Sequence, residues 1–487
     1  MNNSDTEQNQ PVVPIDVVSP ARDLDGPPKI LWISIIAIFF LVICGLISSV
    51  VIFREVLQPS QQQRVLGMAP FMHVFLPPTP QGGILPTVAP QSDTDADPMD
   101  LLNIPINTPV VTIEVTAEIT EAVEITETQE ATQAVVPNPT EAVQEVVTEV
   151  SVAPTLAPTE TLIPSSANIS SPNLPLAHRL FGIRHEKQTW NNCGPATVTM
   201  ALSFYGWQNS QTLAASYLKP NKEDKNVSPE ELETFVNEQT GVNAILREGG
   251  SIKLLKQLLA NDVPVIIETG ASFEAYSWVG HYRVVVAYDD SLQQLYFYDS
   301  FLGDGDNQQG INISYQDVDK NWKDFNRSFI VIYPNELEAS VQTILGPLWD
   351  ASSATETALK TAQDEVRLNP NDAFAWFNMG TSLTHLKRFE EASIAFDQAR
   401  RLELPWRMLW YQFEMFEAYF ETGRYDDVLS LTKTNISNAP ELEEMYYWQG
   451  RVFEAQGQPE KARSSFITAL NYNPYFKAAA DSLAGLR

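Results

Sequence analysis

The sequence predicts an α+β domain followed by an all-α domain, and three observations support this prediction. Between about 178 and 335, segments with helical patterns come first and β-branched and aromatic runs follow, which is typical of an α+β fold. From 357 onward the pattern is helical and repeats with a shift of about 70 residues. At 487 residues, the chain is also too long for one ordinary hydrophobic core.

Residues 29–53 are predicted to form a single transmembrane signal anchor. The run 30–53 is uncharged and almost wholly apolar, and at about 1.5 Å per residue it is long enough to cross a bilayer. A mostly polar tail, residues 1–28, precedes it, unlike the short leader of a cleaved signal peptide. Flanking charges balance, but no Lys or Arg occurs between Arg64 and Arg179. We therefore expect the tail in the cytoplasm and the rest of the chain outside it.

Residues 54–177 are predicted to be a disordered acidic stalk. This segment is rich in Thr, Pro, Val and Glu, and it lacks aromatic residues after Phe75. Such a composition cannot bury enough apolar surface to fold alone. The alternating stretch 111–115 leaves a small β-rich module as the alternative.

The overall charge excludes one class of partner. The formal net charge is −30 and the pI is about 4.5. Nucleic acid is bound by basic surfaces that neutralise its phosphates, so we expect no nucleic-acid partner.

The first half of the α+β domain, predicted to span 178–335, is helical. The helix 196–205 follows Gly194-Pro195 and stops at Gly206. Three more helices are predicted over 210–218, 228–239 and 251–259, the second opening with a Ser228/Glu231 capping box and the third capped by Ser251. Predicted strands follow over 263–267, 282–288, 294–298 and 328–333, and they indicate an antiparallel sheet.

Cys193 lies at the start of the first of these helices. Unpaired N–H groups and the positive end of the helix dipole favour a thiolate there, which is the nucleophilic form. Only Cys44 and Cys193 occur in the chain, so the part beyond the predicted span cannot form an internal disulfide. A small buried structural cysteine is the alternative interpretation.

His281 and Asp299 are predicted to lie close together at strand ends. If 282–288 and 294–298 form a hairpin about Ser291, residues whose numbers sum to about 582 face each other. Arg283 then lies opposite Asp299, and His281 is one diagonal step away. Asp289 and Asp290 fall in the turn, about 26 Å along the strand, and are expected to be turn residues.

These motifs together resemble a known family. They are Gln188-x4-Cys193-Gly194-Pro195-Ala196, Gly280-His281-Tyr282-x-Val284-Val285-Val286 and Tyr298-Asp299-Ser300. They resemble the bacteriocin-processing (double-glycine) peptidase group of the papain-like cysteine peptidases, and more closely its stand-alone relatives with an NNCGPA-type box. The resemblance covers about 155 residues and implies a papain-like fold.

By this resemblance Cys193 is the nucleophile, His281 the general base and acid, Asp299 the residue that orients His281, and Gln188 the oxyanion-hole side chain. No cofactor and no metal is expected. The Gln188 to Cys193 gap is one residue shorter than is usual in papain-like enzymes, so the intervening loop must absorb the difference; a plain surface glutamine is the alternative. The exporter and ATPase of the transporter-linked members are not in this sequence, so their substrate does not transfer.

Residues 357–487 resemble tetratricopeptide repeats, with 336–356 as a linker or a first helix. The residues that recur after about 70 positions are Trp376, Gly380, Leu383, Ala392, Phe396, Ala399 and Pro405, which match Tyr446, Gly450, Phe453, Ala462, Phe466, Ala469 and Pro474. Gly423, Tyr425 and Pro440 mark a degraded middle repeat, and helices are expected over 357–368 and 475–486. An unrelated helical bundle is the alternative. Such repeats stack, and their concave faces bind peptides or proteins.

The sequence therefore predicts a single-pass, membrane-anchored, extracytoplasmic cysteine peptidase. Its partners would be a peptide or protein substrate, the membrane, and a protein bound by the repeats. Two other functions remain open: a non-catalytic peptide-binding adaptor of an envelope complex, and an acyl or amide transferase with the same triad.

Overall fold

The computed structural model describes residues 38–41, 43–45, 48–53, 65, 69, 72, 97–103, 174–273 and 276–486. They belong to two compact units, Met1–Leu57 and Gln58–Arg487, and both predicted domains lie in the second. The predicted tail 1–28, about half of the predicted span and most of the predicted stalk lie outside the described residues. Among the residues that are described, no helix has both the length and the apolar character needed to cross a membrane.

One antiparallel sheet organises the α+β domain. Within the described residues its seven strands are β1 (Ala177–Arg179), β2 (Asn243–Arg247), β3 (Val265–Phe273), β4 (Tyr276–Asp289), β5 (Gln294–Asp299), β6 (Ile311–Ser314) and β7 (Phe329–Tyr333). The strand order is β2-β7-β3-β4-β5-β6, and β1 pairs with the C-terminal end of β4. Every pair is antiparallel, which confirms the predicted sheet.

In the described part of the chain, six helices belong with this sheet. They are α1 (Cys193–Ser203), α2 (Gln211–Leu218), α3 (Pro229–Gln239), α4 (Ile252–Leu259), α5 (Tyr315–Trp322) and α6 (Glu338–Leu345). The predicted caps are present: Ser251 Oγ accepts a hydrogen bond from the Leu254 amide, and Ser228 and Glu231 form the capping box of α3. From Gly194 to Ser203 every residue of α1 is buried, so this helix forms part of the core and its first residue is fixed.

Parts of this domain differ from the prediction. The sequence did not predict the strands β1, β2 and β6 or the helix α5, and β3 runs to Phe273 instead of ending at 267. The segment 336–356, predicted as a linker or as a first helix of the repeat region, contains α6. Val341 and Leu345 of α6 belong to the core of the α+β domain, because burial of these apolar side chains ties α6 to the sheet.

The helical region begins at Ala351, six residues before the predicted 357. Its helices are α7 (Ala351–Leu368), α8 (Ala373–His385), α9 (Phe389–Arg401), α10 (Glu414–Glu421), α11 (Tyr425–Asn438), α12 (Glu443–Ala455), α13 (Pro459–Tyr472) and α14 (Lys477–Gly485). The middle repeat is irregular, as predicted: α10 is only 8 residues long, and a 3-10 helix, Trp406–Trp410, precedes it.

Small and aromatic residues pack between paired helices as the repeat pattern predicts. A Cβ atom at Gly380 of α8 would lie 2.6 Å from the Phe396 ring of α9, closer than real Cβ atoms come. Gly450 of α12 has the same relation to Phe466 of α13. The helices therefore approach closely at these positions, where any larger residue would force them apart.

The predicted stalk contains an ordered segment. Pro98–Asn103 forms a 3-10 helix whose Leu101 and Leu102 are buried. Their carbonyl oxygens accept hydrogen bonds from Gln363 and Arg367 of α7, the first at 3.0 Å. The two leucines belong to the apolar cluster of the repeats, so burial ties this segment to the helical region and it departs from the disorder predicted for 54–177.

The α+β domain and the repeats share a packed interface. Trp278 stacks on Phe325 with ring centroids 5.6 Å apart, and it also contacts Phe374 and Tyr411 from the repeats. Ion pairs surround this aromatic cluster: Lys323–Asp372 at 2.6 Å, Arg327–Glu365 at 2.7 Å and His385–Glu248 at 3.1 Å. The interface thus joins the two parts through both apolar and charged side chains.

Candidate active site

Cys193 is the first residue of α1, at the helix start that the sequence predicted. Burial alone would raise the pKa of its thiol. The hydrogen bond and charge of His281, with backbone hydrogen bonds at Tyr282 and Gly194, outweigh burial and hold the pKa below its ordinary value. Cys193 is therefore poised to be a thiolate.

His281 links this thiol to Asp299. Its Nε2 lies 2.8 Å from Asp299 Oδ1, so Nδ1 is the ring nitrogen left for the thiol. Burial lowers the pKa of His281, but the charge of Asp299 and the hydrogen bond to it outweigh burial and raise the pKa to about 9. The raised pKa favours a protonated imidazole beside Cys193.

The side chain of Asp299 is fully buried and accepts four hydrogen bonds. Besides His281, it accepts hydrogen bonds from Arg283 Nε at 2.8 Å and from the backbone amides of Phe301 and Leu302, each at 2.8 Å. Burial raises the pKa of this carboxyl, yet His281 and Arg283 hold it far below its ordinary value. The predicted register is confirmed, because Arg283 pairs with Asp299 across β4 and β5.

Asp289 and Asp290, the two aspartates predicted to be turn residues, have other partners. Asp289 accepts hydrogen bonds from the amides of Ser291 and Leu292 in the turn. Asp290 forms an ion pair with Lys256 at 2.6 Å. Neither is bonded to His281 in these contacts, and Asp299 is the carboxylate that the fold delivers to the imidazole.

Gln188 is buried beside the strand end that carries Asp299. Its Oε1 accepts a hydrogen bond from Ser300 Oγ at 2.8 Å, and its backbone amide donates to the Ser300 carbonyl oxygen at 2.8 Å. These bonds fix the side chain and leave the amide NH₂ end as the donor available to a ligand. Gln188 is thus held in place and is not a plain surface glutamine, and only four residues separate it from Cys193.

Comparison with protein families agrees with this geometry. Residues 181–330 match the family described as Peptidase_C39 like, and residues 443–476 match a tetratricopeptide repeat. The chain carries a C39-like peptidase-family domain followed by a tetratricopeptide repeat. The first of these segments contains Gln188, Cys193, His281 and Asp299.

Solved structures give weaker likenesses. A C39-like peptidase from Bacillus anthracis is 15% identical with a TM-score of 0.28, covering 33% of this chain and 98% of its own. MamA from Desulfovibrio magneticus RS-1 is 19% identical with a TM-score of 0.23, covering 27% of this chain and 84% of its own. TM-scores this low establish no shared fold. No curated protein sequence matches the chain.

Sequence reasoning missed the residue that anchors the loop before Cys193 in the C39-like domain. Gln211, at the start of α2, is buried. Its Oε1 accepts hydrogen bonds from the Thr189 amide at 2.8 Å and from Asn192 Nδ2 at 2.7 Å, and its Nε2 donates to the Lys187 carbonyl oxygen at 2.7 Å. One glutamine thus fixes both sides of the loop between Gln188 and Cys193. The sequence signal is weak, because Gln211 looks like an ordinary first-turn residue.

Two further residues near the thiol come from unexpected places. Glu268 faces Tyr282 in the pairing of β3 with β4, next to the Thr269–His281 pair. Tyr411 comes from the repeats, and a Cβ atom at Gly280 would lie 2.8 Å from its ring. Burial first, and then the charge of Cys193, raise the pKa values of both Glu268 and Tyr411. The surroundings of Cys193 therefore include a side chain from the repeat region.

Proposed function

We propose that this chain is a cysteine peptidase whose C39-like domain cleaves peptide bonds through Cys193, His281 and Asp299. The observation that supports it best is the continuous hydrogen-bonded series from the Cys193 thiol through His281 to Asp299, with the pKa of the thiol lowered and that of the imidazole raised. A purely structural cysteine gains nothing from a buried imidazolium partner.

The proposed reaction has two stages. Cys193 Sγ attacks the carbonyl carbon of the scissile bond, and His281 gives its proton to the leaving amine as the C–N bond breaks. A thioester remains on Cys193. Water then attacks the thioester while His281 accepts the proton, and the C–S bond breaks to release the carboxylic acid and restore the thiolate.

The side-chain amide of Gln188 and the backbone N–H of Cys193 would receive the oxyanion of each tetrahedral intermediate. The bond from Ser300 to Gln188 Oε1 supports this role, because it orients the amide before substrate arrives. Removal of one such donor lowers kcat by about 10²- to 10³-fold in well-studied hydrolases. We expect Gln188→Ala to lower kcat by a factor in this range.

Labelling with a thiol-directed, carbonyl-mimicking peptide probe tests the proposal. Wild type should label stoichiometrically at Cys193, and His281→Ala should label far more slowly at pH 7. Peptide cleavage should fall by about 10²- to 10⁴-fold in His281→Ala. Equal labelling of both proteins without any cleavage would favour the peptide-binding adaptor, whereas transfer to an added amine in preference to water would favour the transferase.

We further propose that residues 29–53 anchor the chain in the cell membrane, with the catalytic and repeat regions outside the cytoplasm. The uncharged run 30–53 supports this proposal, as do the exposed apolar side chains of Ile38, Phe39, Phe40 and Leu41 in a helical stretch. Protease added to intact cells should release a fragment that contains residues 178–487. Protection of that fragment until the membrane is broken would invert the orientation.

A further inference from the structure

A cavity of about 350 Å³ lies where the α+β domain meets the repeats. Glu230, Glu248, Glu268 and Phe325 line it from one side, and Tyr411 and Glu414 line it from the other. Cys193 and His281 are not among its lining residues. Tyr411 and Glu268 nevertheless connect it to the candidate active site, because Tyr411 packs on Gly280, next to His281, and Glu268 precedes Thr269, which pairs with His281.

Glu268 is the central feature of this cavity. It is 2% exposed, and its Oε2 has no hydrogen-bond partner. Buried carboxylate oxygens are normally satisfied, because an unpaired one costs the full penalty of losing water. An unpaired buried acceptor in a cavity wall therefore points to a ligand that donates hydrogen bonds.

The charge balance of the cavity identifies the kind of donor. Oε2 of Glu414 also lacks a partner. Two basic side chains lie nearby. Arg247 donates to the carbonyl oxygens of Leu348 and Trp349, and His385 is shared between Glu248 at 3.1 Å and Glu414 Oε1 at 3.6 Å, so the one imidazole faces two carboxylates. Two free carboxylate oxygens beside the aromatic rings of Phe325 and Tyr411 suit a cation that is partly apolar.

The described residues hold no group of three or more His, Cys, Asp or Glu side chains placed to bind a metal ion. The charge and shape of the cavity fit an organic cation instead. The alkyl stem of such a cation would contact the apolar part of the wall, and its guanidinium or ammonium group would contact the carboxylates. A cavity of about 350 Å³ accommodates one such side chain.

We propose that this cavity binds a basic side chain, Arg or Lys, of the peptide substrate, with Glu268 and Glu414 as the residues that determine specificity. The inference rests on the proposed peptidase function, since it names the substrate class of that same site. The repeats then contribute directly to substrate choice through Tyr411 and Glu414, in addition to any partner on their concave face.

Binding of a cation here should release a proton. Burial first, and then the charge of Cys193, raise the pKa of Glu268 well above its ordinary range, which favours the protonated carboxyl when no cation is bound. A bound cation favours the ionised form. The groups that face Glu268 from the surrounding elements are Cys193, Glu230, Tyr282, Tyr411 and Glu414. Affinity for a basic peptide should therefore rise with pH until Glu268 is ionised without the ligand.

The test uses the full chain and two matched short peptides that differ only in one residue near the scissile bond, Arg or norleucine. We expect wild type to prefer Arg. Glu268→Gln keeps the shape and removes the charge, and it should lower the Arg-to-norleucine ratio of kcat/KM by about 30-fold or more. Glu414→Gln should lower the ratio less, because Glu414 is only partly buried. The exposed Glu336→Gln is the control and should leave the ratio unchanged.

Direct binding separates this inference from the proposed function. The inactive Cys193→Ala chain is titrated with the same two peptides, and with agmatine as a free guanidinium compound. Equal affinity for Arg and norleucine peptides overturns the inference even if the enzyme cleaves both. Preference for the Arg peptide without cleavage by wild type overturns the peptidase proposal and leaves the cation site standing. Binding of agmatine as tight as that of the Arg peptide would show that the site takes a free amine, against the substrate assignment.

Discussion

Arg283 and Asp299 face each other across β4 and β5, and Arg283 Nε donates to Asp299 Oδ2 at 2.8 Å. Both side chains are almost completely buried, at 7% and 0% exposure. The pair leaves Asp299 Oδ1 for His281, so one carboxylate holds a structural cation on one oxygen and the candidate catalytic imidazole on the other.

This arrangement predicts that Asp299→Asn and Arg283→Met have different signatures. Asp299→Asn should destabilise the protein by about 3–5 kcal/mol, because it leaves the buried Arg283 without its carboxylate. Arg283→Met should destabilise it less, because Asp299 keeps His281 and two backbone amides as partners. Asp299→Asn should also lower kcat/KM by about 10²- to 10⁴-fold, because His281 loses its orientation and the source of its raised pKa. Urea unfolding and peptide cleavage measure the two effects. Equal activity losses in both variants would show that Asp299 acts only as a structural anchor.

The shifted pKa values predict a plateau in the pH profile of peptide cleavage. The reactive form is a Cys193 thiolate beside protonated His281. It is lost on the alkaline side as His281 deprotonates, at a pKa of about 9, and on the acid side below the lowered pKa of Cys193. Iodoacetamide should therefore alkylate Cys193 well below the pH that a free thiol requires. In His281→Ala the midpoint of alkylation should move up, to about 8.5 or above. An unchanged midpoint would mean that His281 does not stabilise the thiolate.

Gln211 should act as a positioning residue for the loop before Cys193. In Gln211→Leu the amide of Thr189 and the side chain of Asn192 lose their shared acceptor. Displacement of the candidate oxyanion donor Gln188 should lower kcat by about 10- to 100-fold, with a smaller change in KM. The exposed Gln208→Leu, near the same helix, is the control. If Gln211→Leu lowers thermal stability but leaves kcat unchanged, the residue is only structural.

Buried carboxylates at the interface predict that stability falls as pH rises. Glu444 is 9% exposed and its Oε2 is unpartnered. Burial first, and then the charges of Glu443, Asp224 and Glu231, raise its pKa well above the ordinary value. A carboxyl with a raised folded-state pKa contributes its full stability below the unfolded pKa of about 4.3, and this contribution is lost as pH rises toward the folded value.

Glu444→Gln should therefore raise Tm at pH 8 and leave it nearly unchanged at pH 4. Relief of one unpaired buried carboxylate is worth about 1–3 kcal/mol, which is roughly 2–10 °C for a domain of this size. Glu460 on α13 is exposed, and Glu460→Gln should change Tm at neither pH. A pH-independent gain in Glu444→Gln would assign the effect to packing instead of charge.

Local patterns in the sequence were enough to predict the sheet, the helix caps and the His281–Asp299 pair. A hairpin with a short turn allows few registers, so counting residues on either side of Ser291 was enough to predict that Asp299 lies near His281. Glu268 could not be found in this way. The apolar run 263–267 ends just before it, and β3 continues only because β4 supplies a partner for Glu268, Thr269 and Gly270. Tyr411 could not be found either, because a contact between positions 280 and 411 depends on how two domains pack.

The packing of Tyr411 on Gly280 also changes what truncation after Pro334 should do. The sequence alone predicts two separate domains, and a separate first domain would keep its peptide-level chemistry without the repeats. Phe325 is 3% exposed and belongs to the same apolar cluster as Phe377, Met379 and Tyr411. Truncation would expose it, at a cost of about 1.5–3 kcal/mol for this one side chain, and would also strip Trp278 of its contacts with Phe374 and Tyr411.

We therefore expect the fragment that ends at Pro334 to unfold at a lower temperature than the full chain, to bind a hydrophobic dye and to cleave short peptides poorly. The ion pairs of Lys323 with Asp372 and of Arg327 with Glu365 are lost in the same cut, and Arg327 keeps its ion pair with Asp319. Tyr411→Ala in the full chain removes only the contact with Gly280, beside His281. Tyr475→Ala is the control, because Tyr475 is 52% exposed and its ring stacks on Tyr217. Loss of short-peptide cleavage in Tyr411→Ala but not in Tyr475→Ala would place the repeats in the candidate active site. A fragment ending at Pro334 with the Tm and peptide kinetics of the full chain would instead show that the α+β domain is self-sufficient.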